Sequence, residues 1–300
     1  MRLPRVRVPR VRDIKTKLSS ARLLGGVVKN SLQFKLRRRA FRRFSAKDFD
    51  TIIVDMDGTL YESDANLEAL KVAYPEKNES GVTRGEELYD FLISKIVLGE
   101  YSIERAIIEG NRLLMKAGVG ASDIDRVLAR VNKGLRKQLI RALKELKKNG
   151  KKVVLATLSS KNFGERLNVY LKEKYGFSFD YIAGTELRFN SEAKISGLNS
   201  IVGTKDFEID GIKVKSKVSA IKEELALAGI ELDVGRTVLI TDSYGDIDSA
   251  KMFVTILIKP DKPTQAQKVS HQLRLADYIL PDDADLQTNL LSIILGPEKN

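Results

Sequence analysis

At 300 residues the chain has room for one large α/β domain, or for one such domain carrying an inserted subdomain. It contains no cysteine, which excludes disulfides, thiol nucleophiles and zinc–thiolate sites. Its single histidine, His271, reads as an ordinary surface helix residue, so acid–base chemistry must fall on carboxylates or lysines. With 43% hydrophobic and 31% charged residues it reads as a globular protein, and no apolar run reaches the roughly 20 residues that span a bilayer.

The net charge of +12 is concentrated at one end. Residues 1–47 hold 16 Lys and Arg against one acid, Asp13, leaving 36 basic and 39 acidic residues in the rest. This arm, residues 1–48, opens with the extended-reading MRLPRVRVPRVRDIK. It continues with Ile14, Leu18, Leu24, Val28, Leu32, Leu36, Phe41 and Phe44 at mostly helical spacing among basic residues, interrupted by Gly25-Gly26. A basic amphipathic segment of this kind suits an anionic membrane surface. A solvated tail, a helix packed on the domain and an organelle-targeting peptide fit the same composition. Sparse aromatics argue against nucleic acid as the partner. The expected location is the cytoplasm, peripheral to a membrane if the arm binds one.

From residue 50 the pattern alternates strand and helix. Short Val/Ile/Leu-rich runs at 51–55, 152–157, 180–183, 237–241, 253–258 and 277–280 predict buried strands of a parallel, Rossmann-like sheet with helices on both faces. Between the first two strands lie GEELYDFLISKIVLG, SIERAIIEGNRLLMKAG and SDIDRVLARVNKGLRKQLIRALKELKKNG, more helix than a simple crossover needs. They predict an inserted helical cap over 65–149, with the core formed by 49–64 and 150–300. Residues 185–215 read as a short β-hairpin excursion, with turns in FNSEAKISG and FEIDGIKVK.

Ligands of an open α/β sheet bind at the carboxyl ends of the strands. Those ends carry Asp55, Asp57, Gly58 and Thr59; then Thr157, Leu158, Ser159 and Ser160; then Asp242, Ser243 and Asp246. Lys217 opens a helix just ahead of the strand that ends in Asp242. Each group alone is ordinary: Asp-x-Asp-Gly is a common turn, and a lysine opening a helix is usually solvated. Together, aspartates at two strand ends repel unless a cation sits between them, and hard oxygen ligands select Mg²⁺. A hydroxyl and a lysine offer a phosphate a donor and a compact positive charge. Ser159 is the alternative to Thr157 and Lys215 the alternative to Lys217.

The order D55-M-D57-G-T59, Thr157, Lys217 and D242-S-Y-G-D246 resembles the four motifs of the haloacid dehalogenase-like (HAD) superfamily over about residues 50–285. FDYIAGTELRF…ISGL and GEYSIERAIIEGNRLLMK resemble its phosphoserine-phosphatase-like branch. The resemblance implies a phosphatase working through an aspartyl-phosphate, with Asp55 as nucleophile and Asp57 as general acid, then base. It implies that Thr157 and Lys217 bind the phosphoryl group, and Gly58, grouped with them, permits the tight turn. It also implies that Asp55, the backbone carbonyl of Asp57 and Asp242 hold Mg²⁺, with Asp246 supporting the metal or orienting Lys217.

The chain departs from that branch at three places. Asp64 stands where a Glu reads the substrate amine, Gly245 where an Asn is usual, and Gly110 where an Arg clamps the substrate carboxylate, with Arg105 and Arg112 nearby. These departures argue against phosphoserine. The leading expectation is a Mg²⁺-dependent phosphomonoesterase for a small phosphorylated metabolite. A membrane-associated lipid-phosphate phosphatase, a phosphotransferase and a non-catalytic binding protein on the same fold are the alternatives.

Overall fold

The computed structural model describes residues 49–242, 252–259 and 276–296. The readings of the arm (residues 1–48), of Asp246 and of His271 lie outside the described residues. The α/β architecture is as expected. β1 (Thr51–Val54), β2 (Lys152–Ser160), β3 (Tyr181–Phe189), β7 (Thr237–Thr241), β8 (Val254–Lys259) and β9 (Tyr278–Pro281) run parallel in the order β3-β2-β1-β7-β8-β9.

β1 is central, and its period-2 alternation serves two cores. Ile52 and Val54 join one cluster with Val153, Leu155, Val238 and Ile240, while Ile53 joins another with Val154, Ala156 and Leu239. Helices cover both faces. α5 (Lys137–Lys148), α6 (Lys161–Tyr175) and α8 (Leu286–Leu295) pack on the first, and α7 (Lys217–Ala226) packs on the second through Ala220, Ile221 and Leu225.

The 185–215 region is larger than the single hairpin expected. β4 (Ile195–Gly203) pairs antiparallel with β3, β6 (Ile212–Ser216) lies parallel to β4, and β5 (Phe207–Ile209) closes the edge antiparallel to β6, making nine strands among the described residues. Both turns sit where their residue types allow. Asn190 Oδ1 accepts from Glu192 N and Lys194 N at 3.0 and 2.9 Å. Asp210 and Gly211, both at positive φ, form the two-residue loop between β5 and β6.

Between β1 and β2 lie α1 (Ala65–Ala73), α2 (Arg84–Val97), α3 (Ile103–Lys116), α4 (Ala121–Val131) and α5. Among the described residues no helix is long and apolar enough to cross a membrane. Leu70, Leu92 and Leu114 of α1–α3 form a satellite cluster with Val119, from the loop after α3, and Ile195 of the β3–β4 extension. α3 is also anchored to that extension. Buried Glu104 accepts from Thr204 N and Oγ1, each at 2.8 Å, and Ile108 packs on Ile201 and Val214.

The periodicity over 122–150 reads as unbroken helix, but the chain breaks into α4, a 3-10 turn at Asn132–Gly134, and α5. The reason is tertiary. Glu62 N donates to Gly134 O at 3.1 Å and Arg136 N donates to Leu60 O at 3.0 Å, so the loop after β1 takes backbone groups a continuous helix would use. Beyond the break, α5 buries Leu139, Ile140, Leu143 and Leu146 in the sheet's own core cluster.

Candidate active site

Register brings the chemistry together. Val54 pairs with Leu155 on one side and Ile240 on the other, so Asp55 and Asp57, Thr157, and Asp242 leave three adjacent strands at one carboxyl edge. The chain then turns sharply: Leu60 N donates to Met56 O at 2.8 Å and Gly58 N to Ser63 O at 3.1 Å. Gly58 sits at φ +72°, and a Cβ there would lie 2.3 Å from Asp242 Oδ2, so both backbone conformation and close approach require glycine.

Asp55, 8% exposed, receives Lys217 Nζ on Oδ1 at 2.9 Å. Lys215 instead pairs with Glu223 at 2.8 Å, so of the two candidate lysines Lys217 is the one at the strand edge. Lys217 is placed by the start of α7. Ser216 caps the helix by accepting from Ser219 N at 3.1 Å, and Asp206 accepts from Ser216 N and Ser219 Oγ, each at 2.7 Å. Those bonds hold the Asp206 carboxyl below its ordinary range, with the Ser216 amide the largest cause.

Thr59 Oγ1 lies 3.2 Å from Asp55 Oδ2 and 2.9 Å from Asp242 Oδ1, so one hydroxyl stands between the two carboxylates. Asp57 is held more firmly. Its Oδ1 accepts from Tyr61 OH at 2.6 Å and from Ala65 N, the first residue of α1, at 2.7 Å. Its Oδ2 faces Thr157 Oγ1 at 3.2 Å. Thr157 is fully buried and also accepts from Ser159 N at 2.9 Å, within the register shift of β2 against β3. Ser159 lies on the cavity lining, and its Oγ accepts from Asn66 Nδ2 at 2.7 Å.

Arg136, 5% exposed, has no role in the sequence reading, yet it braces the turn after β1. Its Nη1 donates to Gly58 O and Thr59 O at 2.6 and 2.9 Å, and its Nε pairs with Asp282. The one signal in the sequence is an arginine interrupting an apolar helical pattern directly after Gly134-Leu135. Asp64 caps α1 by accepting from Asn66 N and Leu67 N at 2.7 and 3.2 Å, and accepts Tyr89 OH at 2.7 Å. Removal from water, then the nearby Asp57 charge, raise its carboxyl to about 7. Burial, then Asp57, likewise push the Tyr61 phenol well up, so it donates to Asp57 as the neutral hydroxyl.

A cavity of about 490 Å³ opens over Asp55, Asp57, Lys217 and Asp242, walled above by α1, α2 and α3. Among the described residues no three His, Cys, Asp or Glu side chains gather as a metal cluster. The expected set needs fewer, since it takes two carboxylates, Asp55 and Asp242, and a backbone carbonyl. These are all hard oxygen donors, and the two carboxylates converge on one hydroxyl, so the residues fit Mg²⁺.

The family model for haloacid dehalogenase-like hydrolases matches residues 52–251. The chain belongs to this family. The HAD fold also appears among solved structures. One titled a phospho-aspartyl intermediate analogue of phosphoserine phosphatase aligns with a TM-score of 0.52 at 19% identity, covering 81% of this chain and 98% of that one. A HAD family hydrolase from Salmonella enterica serovar Typhi aligns at 0.58 and 15% identity, covering 84% and 72%. A probable phosphoserine phosphatase from Vibrio cholerae aligns at 0.54 and 20% identity, covering 82% and 65%. At these identities the likeness is one of fold. No curated protein matches the sequence. In this HAD hydrolase the motif residues of the described part lie on one edge of the sheet, beneath the cavity.

Proposed function

We propose that the protein is a Mg²⁺-dependent phosphatase that hydrolyses a small phosphomonoester through an aspartyl-phosphate. The observation that carries this reading is the Asp55–Lys217 contact of 2.9 Å at the cavity floor, beside Asp57 and Asp242. Mg²⁺ bound by Asp55, Asp242 and the Asp57 carbonyl supplies charge neutralisation to the phosphoryl oxygens.

A carboxylate oxygen of Asp55 attacks phosphorus, and the bond to the ester oxygen breaks. Asp57, protonated, gives its proton to the departing alkoxide. It then takes a proton from the water that attacks the aspartyl-phosphate, returning Asp55 and releasing inorganic phosphate. Tyr61 and the Ala65 amide fix the Oδ1 side of Asp57, and Oδ2, which accepts the longer 3.2 Å bond from Thr157, is the side for proton transfer. Lys217 offsets the charge on Asp55 and on the transferred group. Thr157 is the proposed hydrogen-bond donor to the phosphoryl group, with Ser159 on the cavity wall as the alternative. Loss of turnover in Thr157→Val but not in Ser159→Ala decides for Thr157. Asp246 keeps its proposed support of the metal or of Lys217.

The test is release of inorganic phosphate from p-nitrophenyl phosphate with Mg²⁺ and with EDTA, for the wild type and for Asp55→Asn. Activity that requires Mg²⁺ and disappears in Asp55→Asn is expected. Activity that survives the substitution would sink the assignment.

A further inference from the structure

We propose that the alcohol released from this site is apolar: the substrate is the phosphate monoester of a single alkyl, prenyl-like or aryl group, not of an amino acid or sugar. The proposal rests on the phosphatase reading above and specifies its substrate class. At about 490 Å³ the cavity is in the range that holds a whole organic ligand. A phosphoryl group at Asp55 occupies only its floor. The space beyond is walled by Leu70, Leu92, Ile96, Ile103, Ile107 and Leu114.

Of the polar side chains that α1–α3 bring to that space, three spend a donor within the protein, while Glu62 and Ser63 line it from the loop after β1. Asn111 Nδ2 donates to Ile107 O at 2.9 Å, Tyr89 OH to Asp64 at 2.7 Å and Asn66 Nδ2 to Ser159 at 2.7 Å. Among the described lining residues the one cation is Lys217, which lies at Asp55 on the floor. The two arginines of α3 point elsewhere. Arg105 pairs with Glu109 at 2.8 Å and Asp210 at 2.6 Å, and Arg112 pairs with Glu109 at 2.6 Å. A substrate carboxylate or polyol in this space would lose its water against methyl groups, whereas a hydrocarbon would gain by the same transfer.

Gly110 sharpens the case. It lies in the middle of α3 without a positive φ, and an added Cβ would make an ordinary 3.6 Å contact with Leu92 Cδ1. Neither backbone conformation nor crowding requires glycine there, and glycine is among the poorest helix formers. What its missing side chain leaves is cavity space between α2 and α3.

The experiment measures kcat/KM of the full chain with Mg²⁺ for methyl, butyl and octyl phosphate below their micellar concentrations, and for O-phosphoserine. About a fourfold rise per added methylene is expected until the cavity is full, the fold-change equivalent to about 0.8 kcal/mol for a buried CH₂. Phosphoserine should fall at or below methyl phosphate. Gly110→Leu should cut the octyl-to-methyl ratio at least tenfold. Should that variant fail to fold, octylphosphonate should still inhibit the wild type at far lower concentration than methylphosphonate.

A long-chain monoalkyl phosphate, hexadecyl phosphate, carried in phosphatidylcholine vesicles identifies the source. Faster turnover there than of monomeric octyl phosphate assigns a membrane lipid, and the reverse assigns a soluble ester; both support an apolar alcohol. Turnover of p-nitrophenyl phosphate with no dependence on chain length, or with phosphoserine preferred, overturns the proposal and leaves the phosphatase reading intact. No turnover of any monoester overturns both.

Discussion

On the carboxyl edge of the sheet, Asp55, Asp57, Thr59, Asp242 and Lys217 are tied to one another or to neighbouring groups by hydrogen bonds of 2.6–3.2 Å. The wall above them, from α1 to α3, is mostly Leu and Ile, with Leu70, Leu92 and Leu114 in one apolar cluster. Directional bonds fix atoms to a fraction of an ångström, and three parallel strands in register give them a rigid base. Apolar packing fixes volume more than position, so a helical wall can change the shape of the cavity while the floor stays constant. On the proposed function, the floor governs whether chemistry occurs and the wall governs what is admitted.

Substitutions can break that division, and the largest effect belongs to the floor. Asp55→Asn should reduce turnover of every phosphomonoester to background while circular dichroism stays unchanged, and Asp57→Asn should cost about 10²–10⁴-fold in kcat. A residual rate in Asp57→Asn that matches the wild type would show that Asp57 moves no proton.

Arg136→Leu probes the brace beneath the floor. It leaves Gly58 O, Thr59 O and Asp282 without their buried partner, and urea unfolding should show a loss of about 3–5 kcal/mol. A loss below about 1 kcal/mol would mean that the turn holds itself.

Asp64 lies where floor meets wall. Its folded carboxyl titrates near 7, above its ordinary 3.8, so between those values the folded chain keeps a proton that the unfolded chain releases. Stability in EDTA should fall as pH rises from about 4 to about 7, on the order of 1 kcal/mol per pH unit. Asp64→Asn, which keeps a capping oxygen for α1, should flatten that slope. An unchanged slope would place the titration elsewhere. The smallest effect belongs to the wall: Gly110→Ala should raise the unfolding free energy by about 0.5–1 kcal/mol.

How much of this is legible in sequence depends on how local the cause is. The strands at 51–54 and 237–241 are readable because β-branched runs bounded by turn signals have few other solutions. Gly58 is readable as a tight turn, but its second reason, the Asp242 carboxylate against its Cα, is not, because the two residues are 184 positions apart. The break at Asn132–Gly134 is hidden for the same reason, since it is imposed by backbone bonds from Leu60 and Glu62. Helical periodicity groups Lys137–Lys148 with the preceding helices, yet its apolar face is spent on the sheet.

By itself the sequence determined the alternation of strand and helix, the acids at the strand ends and the absence of thiols, because composition and short-range periodicity act within a few residues. Only the tertiary structure decided that Lys217 rather than Lys215 meets Asp55, that Arg136 braces the turn, and that the cavity over the carboxylates is walled by hydrocarbon. Those outcomes depend on strand register and on which helix face meets which neighbour, and no stretch of chain carries that information alone.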